Sequence, residues 1–187
     1  MHVLLGVTGS VAAIKTQNIV DEIVRKLRGV EVRVVPTEAA LHFFGAKDIV
    51  GARVHVDAEE WEWRKVGDPV LHIELRKWAD VMLVAPLHAN TLAKIANGLC
   101  VNLLTSTIRA WQCGQKPFLV APAMNTAMWL HPITSSQLTL LQSWGTIVIP
   151  PVSKLLACGD VGEGGLATVT SIVDALISSL RELPPKL

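Results

Sequence analysis

The sequence predicts an α/β fold: a single domain built as a three-layer sandwich, with a parallel sheet between two layers of helix. Three observations predict it. Several short runs are almost wholly apolar, longer segments repeat their apolar residues at the helical period, and the two kinds alternate along the chain. Strands that are apolar throughout have both faces covered, as strands of parallel sheets do. A chain of 187 residues, 50% apolar and 18% charged, is long enough for one such core.

Residues 2–7 read as a buried strand, and Thr8-Gly9-Ser10 as the turn after it. Over 11–27, Val11, Ile14, Ile19, Ile23 and Leu27 recur on one side, which predicts a helix. Glu31-Val-Arg-Val-Val35 is the second strand; Pro36-Thr37 and a short helix over 38–44 follow. The stretch 47–69 is the least regular, broken by Gly51, Gly67 and Pro69. A short helix is expected over 72–78, then the clearest buried strand over 80–86. Segments 91–97 and 102–111 read as helical, split near Gly98; 117–122 is a strand, 133–144 a helix and 146–150 a last strand. A glycine-rich loop and a helix from 171 to about 180 close the pattern. The expected architecture is a Rossmann/flavodoxin-like parallel sheet with helices on both faces. Ligands bind beyond the carboxyl ends of such strands. Thr8-Gly9-Ser10, Thr37, 87–91 and 123–125 would therefore meet in one crevice.

Charge and cysteine content exclude several classes. The formal charge is +1, from 17 basic and 16 acidic residues with no basic run, which argues against nucleic acid or an anionic membrane as partner. Cys100, Cys113 and Cys158 are an odd number without CxxC spacing. Neither a disulfide framework nor a metal site is expected, and a reducing compartment fits. Neither a signal peptide nor a membrane span is expected. The apolar fraction is high for a small monomer and hints at oligomerisation.

Several residues carry candidate chemistry, each beside a plainer role. Gly9 allows a tight turn and Ser10 can cap the next helix; a phosphate would be favoured at those N–H groups, or the pair forms an ordinary strand-to-helix turn. Neither GxGxxG nor GxxxxGK[ST] is present, so a dinucleotide or nucleoside triphosphate is not favoured. Thr37 could add a hydroxyl to the same anion or only cap a helix. His72 has a proton tunable near neutrality but could be merely structural. Asn90 offers donor and acceptor to a polar ring edge, or caps a helix. In Pro122-Ala-Met-Asn-Thr-Ala-Met-Trp129, core packing accounts for the Met and Trp residues and leaves Asn125 unexplained. Cys158 stands among Gly159, Gly162, Gly164 and Gly165, which points to a mobile flap over a ligand. A thiol with an ordinary pKa of about 8.5 can donate a proton near neutrality. Cys100 and Cys113 read as structural.

Together the segments resemble the homo-oligomeric flavin-containing cysteine decarboxylase family. The resemblance runs over residues 3–175. It is most specific in Gly6-Val-Thr-Gly-Ser-Val-Ala-Ala-Ile-Lys15, Asp68-Pro-Val-Leu-His-Ile-Glu-Leu-Arg-Lys-Trp-Ala-Asp80 and Ala89-Asn-Thr-Leu-Ala-Lys94. Ala121-Pro-Ala-Met-Asn-Thr-Ala-Met-Trp129 and Leu156-Ala-Cys-Gly-Asp160 complete it. It implies a flavoprotein domain over 1–187, with a flap over about 152–168. The implied cofactor is FMN and the implied substrate 4'-phosphopantothenoylcysteine, decarboxylated to 4'-phosphopantetheine in coenzyme A biosynthesis. Gly9, Ser10 and Val11 match the turn that holds the FMN phosphate, Thr37 a second phosphate contact, and Phe43 a further cofactor contact. His88, Ala89, Asn90 and Thr91 match the segment along the flavin, and Ala123 another flavin neighbour. His72 matches the active-site histidine, Asn125 the residue that grips the substrate carboxylate, Ala157 a substrate contact and Cys158 the proton donor on the flap. The resemblance also implies a cytoplasmic homotrimer with sites between subunits.

Some positions depart from the family pattern. His88 replaces Ser or Asp, Val101 replaces an Asp, Leu155 stands at an often basic place, and Gly165-Leu-Ala-Thr168 replaces Ala-Met-Ala-Glu. A flavin prenyltransferase is disfavoured by Pro122-Ala-Met-Asn125 and Ala157-Cys-Gly-Asp160, and two other readings compete. One is a non-catalytic flavin-binding regulatory subunit of the phosphatase-inhibitor type; such relatives lack part of the His, Asn and Cys set and carry acidic tails. The other is a peptide cysteine decarboxylase. The full set of His72, Asn125 and Cys158, and the match over 68–80, favour the coenzyme A reading.

Overall fold

The computed structural model describes residues 1–155 and 161–181. The strands are β1 (His2–Val7), β2 (Glu31–Pro36), β3 (Ala52–Val54), β4 (Val81–Leu87), β5 (Phe118–Pro122), β6 (Ile147–Val148), β7 (Val152–Leu155) and β8 (Val161–Gly165). The helices are α1 (Thr16–Lys26), α2 (Asp57–Glu60), α3 (Leu71–Trp78), α4 (Ala89–Ala96), α5 (Leu103–Arg109), α6 (Thr126–Trp129), α7 (Pro132–Ser143) and α8 (Val169–Arg181). A 3-10 segment, Val11–Lys15, leads directly into α1.

Six strands form one sheet in the order β3-β2-β1-β4-β5-β6, and every pairing in it is parallel. All seven residues of β4 are buried, as a central strand covered on both sides requires. Side chains alternate between two cores. Val3, Leu5, Val34, Leu83 and Leu119 face Ile19, Ile23, Ile172 and Leu176 of α1 and α8. Leu4, Val35, Met82, Val84 and Val120 face Leu75, Leu92, Leu104 and Leu138 of α3, α4, α5 and α7. This is the three-layer α/β sandwich expected. The strand order reverses between β1 and β4, and their carboxyl ends frame the crevice that doubly wound sheets offer to ligands.

The differences from the sequence reading have physical causes. The irregular stretch 47–69 holds β3 and α2; three residues on a sheet edge and one helical turn leave no period to read. The helix expected over 38–44 is a 3-10 segment, Glu38–His42. The glycine-rich loop is in part an antiparallel hairpin of β7 and β8. Glycine weakens strands in isolation, but here it permits close approach. A Cβ on Gly162 would lie 2.6 Å from Thr126 Oγ1, and one on Gly164 (φ +115) 2.4 Å from the Met124 carbonyl oxygen. Cys100 and Cys113 are not on helices. Gly98, at φ +71, lies beyond the end of α4, and α5 ends at Arg109, so both thiols sit in exposed connections.

Candidate functional site

Two adjoining cavities lie at the carboxyl ends of β1, β4 and β5, with Gly9 and His88 in the walls of both. The first, about 460 Å³, is lined mainly by apolar groups: Val11, Ile14, Phe43, Met124, Met128 and Leu166, with Ser10, Ala123 and Asn125. The second, about 390 Å³, is polar, with Thr37, Asn90, Thr91, Lys94 and Asn102 beside Glu38 and Asp57. Together they suit an elongated ligand with an apolar planar body and a polar end.

The walls are built from β-strand ends held in register. Fully buried Thr8 locks them: its Oγ1 donates to the Pro86 carbonyl at 2.9 Å and accepts from the His88 N–H at 2.7 Å. Ser10 caps the helical segment, its Oγ accepting from Ala12 N–H at 3.3 Å. Gly9 is demanded by packing, since a Cβ there would lie 2.6 Å from Ala39 Cβ and 3.3 Å from the Ala39 backbone.

Thr37 separates the two roles considered for it. It precedes the 3-10 segment Glu38–His42 yet makes no side-chain cap. Its buried Oγ1 has no hydrogen-bond partner among the described residues. A buried hydroxyl without a partner costs stability unless a ligand satisfies it, and this one borders the polar cavity. Asn90 does not cap α4; His88 does, its Nδ1 accepting from the Asn90 N–H at 3.4 Å. Burial pushes the His88 pKa down, so its ring is held toward the neutral form. Thr91 is 6% exposed and lines the polar cavity. Ala89 begins α4 and packs against the core rather than lining either cavity.

Asn125 caps α6, with Oδ1 accepting from the Ala127 N–H at 2.8 Å. An asparagine amide carries both an acceptor oxygen and a donor nitrogen, and an amide N–H is the kind of group a carboxylate accepts from. The segment is clamped to β8: Met124 N–H donates to the Gly164 carbonyl (2.9 Å), Thr126 Oγ1 to the Glu163 carbonyl (2.8 Å) and Trp129 Nε1 to Glu163 Oε2 (3.2 Å). Lys15 and Lys154, which the sequence reading passed over, also line the apolar cavity. Burial, then the charge of Lys15, pushes Lys154 down. In the polar cavity, burial raises the Asp57 pKa, with the Leu103 N–H opposing and nearby Glu38 reinforcing the rise.

The fold thus brings Gly9, Ser10, Val11, Phe43, His88, Ala123 and Asn125 to one cavity, and Thr37, Asn90 and Thr91 to its neighbour. His72 lines neither; it stands on α3, paired with Glu60. Ala157 and Cys158 lie outside the described residues. The residues fit FMN. The unpartnered Thr37 hydroxyl and the tight Gly9–Ser10 turn offer donors to a phosphate, while Phe43, Met124, Met128 and Leu166 offer an apolar seat to a ring system.

Comparison with known proteins agrees. The family model described as Flavoprotein matches residues 1–181. A Mus musculus protein named phosphopantothenoylcysteine decarboxylase is 55% identical over 173 residues, covering 92% of this chain and 83% of that protein. A solved structure of a PPC decarboxylase mutant complexed with pantothenoylaminoethenethiol superposes with a TM-score of 0.91 at 48% identity, covering 97% of this chain and 98% of the other. The structure of the FMN binding protein AtHal3 gives 0.88 at 48% identity, covering 98% of each chain. The chain is a member of the Flavoprotein family.

Proposed function

We propose that this chain is an FMN-dependent carboxy-lyase that converts 4'-phosphopantothenoylcysteine to 4'-phosphopantetheine and CO2, a step of coenzyme A biosynthesis. The observation that carries the reading is the shared crevice. An apolar cavity lined in part by Asn125 adjoins a polar one bordered by the Thr37 hydroxyl, which has no partner among the described residues, at the switch point of a fold similar to the decarboxylases.

Gly9, Ser10, Val11 and Thr37 would hold the FMN phosphate. Phe43, His88, Asn90, Thr91 and Ala123 would seat the remainder, with Ala89 packed against the core behind them at the start of α4. When bound, FMN supplies the reversible acceptance of two electrons from the substrate's cysteine side chain, which creates the electron sink that departure of CO2 needs. The residues of the chain bind, orient and protonate. Asn125 orients the substrate carboxylate through its amide donor, a positioning effect that makes the reaction effectively unimolecular. His72 acts on the substrate during decarboxylation. Cys158 donates the proton that completes the product, a general-acid role, and Ala157 contacts the substrate beside it. With FMN bound, the overall reaction would be redox-neutral and need no outside oxidant.

The reading includes a homotrimer with sites between subunits. His72 lines neither cavity of its own chain, which supports a second copy supplying the histidine. Val11 and Ile14, 47% and 58% exposed at the cavity wall, offer apolar surface for that copy to cover. We assign the enzyme to the cytoplasm, where the exposed thiols of Cys100 and Cys113 would stay reduced. The test is direct. FMN-loaded protein is incubated with 4'-phosphopantothenoylcysteine, and CO2 and 4'-phosphopantetheine are followed by mass spectrometry. Both products are expected; a flavin-loaded protein that releases neither would favour a regulatory subunit instead.

A further inference from the structure

α3 begins without a cap of its own, because Val70 stands at the N-cap position and offers no side-chain acceptor. Glu60, the last residue of α2, supplies one from outside the helix. Its Oε2 accepts from the His72 backbone N–H at 3.0 Å, and its Oε1 meets His72 Nδ1 at 2.5 Å. One carboxylate therefore holds both the backbone and the ring of the same residue. The two side chains are largely shielded, at 26% exposure for His72 and 15% for Glu60.

A carboxylate offers only acceptors, so the ring nitrogen facing it carries the proton. His72 is thereby held as the Nδ1–H tautomer when neutral, and Nε2 is left as the nitrogen with a lone pair. The second bond of a histidine commonly sets which nitrogen works on the substrate. Capping α3 needs one acceptor on the backbone N–H; the ring contact exceeds what capping needs.

Glu60 is itself held in place. In Asp57-Ala-Glu-Glu60 every acid is tied to a different element. Asp57 Oδ1 accepts from the Leu103 N–H at the start of α5 (3.0 Å). Glu59 Oε1 accepts from the Val56 N–H (2.8 Å), and its Oε2 meets His55 Nδ1 (3.0 Å) just beyond β3. Glu60 binds α3. The short helix α2 is thus a bracket anchored at α5 and, through Arg53 Nη2 3.5 Å from Glu59 Oε2, at β3, with its far end closed on His72.

We infer that Glu60 is the positioning residue of His72, fixing the tautomer and the ring orientation with which the histidine acts on substrate. The inference rests on the reading of His72 as the active-site histidine.

Two measurements on the FMN-loaded protein test it. The first is NMR of protein carrying 15N-labelled histidine, with the His72 signals assigned by their loss in His72→Gln. Wild type gives the Nδ1–H pattern, and Glu60→Ala shifts His72 toward Nε2–H. The second is turnover of 4'-phosphopantothenoylcysteine. Glu60→Ala lowers kcat about 100-fold with KM little changed, and Glu60→Gln, which keeps one acceptor, falls between. In a His72→Gln background, Glu60→Ala lowers kcat no further, as expected for residues acting as a unit. An Nε2–H pattern in wild type, an unaltered tautomer in Glu60→Ala, or wild-type kcat in that variant overturns the inference. Should Glu60→Ala fail to fold, Glu60→Gln carries both measurements. Wild-type protein without turnover would count against the assigned substrate, and the tautomer measurement would then decide the role of Glu60 alone.

Discussion

Replacing Gly9 with alanine tests the cofactor site where the structure leaves it least room. The new Cβ would stand 2.6 Å from Ala39 Cβ and within 3.4 Å of the Ala39 carbonyl oxygen. Neither neighbour is the tip of a flexible side chain, so the turn and the segment after Thr37 must separate. Overpacking of this kind costs about 1–3 kcal/mol. The apoprotein can relieve it by moving the turn, whereas FMN needs the turn and Thr37 at their present spacing. The strain therefore appears as lost FMN affinity, roughly 5- to 150-fold in Kd at about 1.4 kcal/mol per tenfold. Gly6→Ala is the matched control. Its Cβ would meet Leu104 Cδ1 at 2.6 Å, a side-chain tip on the far side of the sheet from α1. That variant should lose thermal stability and keep its FMN affinity. Titrating apoprotein with FMN and following flavin fluorescence measures both. Wild-type affinity in Gly9→Ala, or an equal loss in Gly6→Ala, would refute the close-approach reasoning.

Other substitutions separate the remaining roles. Asn125→Asp keeps a good N-cap for α6, so stability should hold, while a like charge meets the substrate carboxylate; kcat/KM should fall about 10- to 100-fold, and unchanged steady-state kinetics would remove Asn125 from substrate binding. Mixing His72→Gln with Asn125→Asp chains should restore activity if each site draws its residues from two chains. Random trimers would carry about a quarter of their sites intact, and no recovery on co-expression would place each site within one chain. His55 gives the pH dependence. It is 1% exposed, and burial lowers its pKa below the ordinary 6.5, outweighing the opposing Glu59 contact. The unfolded chain then binds the proton more readily, so this contribution to stability is present above pH 6.5 and is lost as pH falls through the lowered value. Urea unfolding of His55→Gln should show a shallower decline from pH 7 to 5 than wild type, and an identical slope would refute the assignment.

Much of the fold could be read from the residues because burial on both sheet faces leaves an unmistakable pattern. Val81–Leu87 and Phe118–Pro122 are apolar throughout, and the Ile19 and Ile23 spacing marks the helix that covers one face. What escaped has no period. Ala52–Val54 is an edge strand of three residues, and the β8 glycines disguise a strand as a loop. At the site, motif order pointed to Gly9, Ser10, Asn90 and Asn125, but contacts decided between their alternatives. Thr37 is exposed as more than a cap only by the bond its hydroxyl does not make among the described residues. Glu60 had no local signal, because the ring it holds lies 12 residues away. The separation of His72 from the cavities follows from tertiary placement, which no single-chain motif encodes.

The redox-neutral character of the reaction is the most direct point of attack. FMN-loaded protein is mixed anaerobically with excess 4'-phosphopantothenoylcysteine and no added electron acceptor, and CO2 and 4'-phosphopantetheine are counted against bound flavin. The account predicts many equivalents of both products per flavin, in equal amounts, with the flavin oxidised at the end. A reaction that stops after one CO2 per flavin and leaves the cofactor reduced would contradict it.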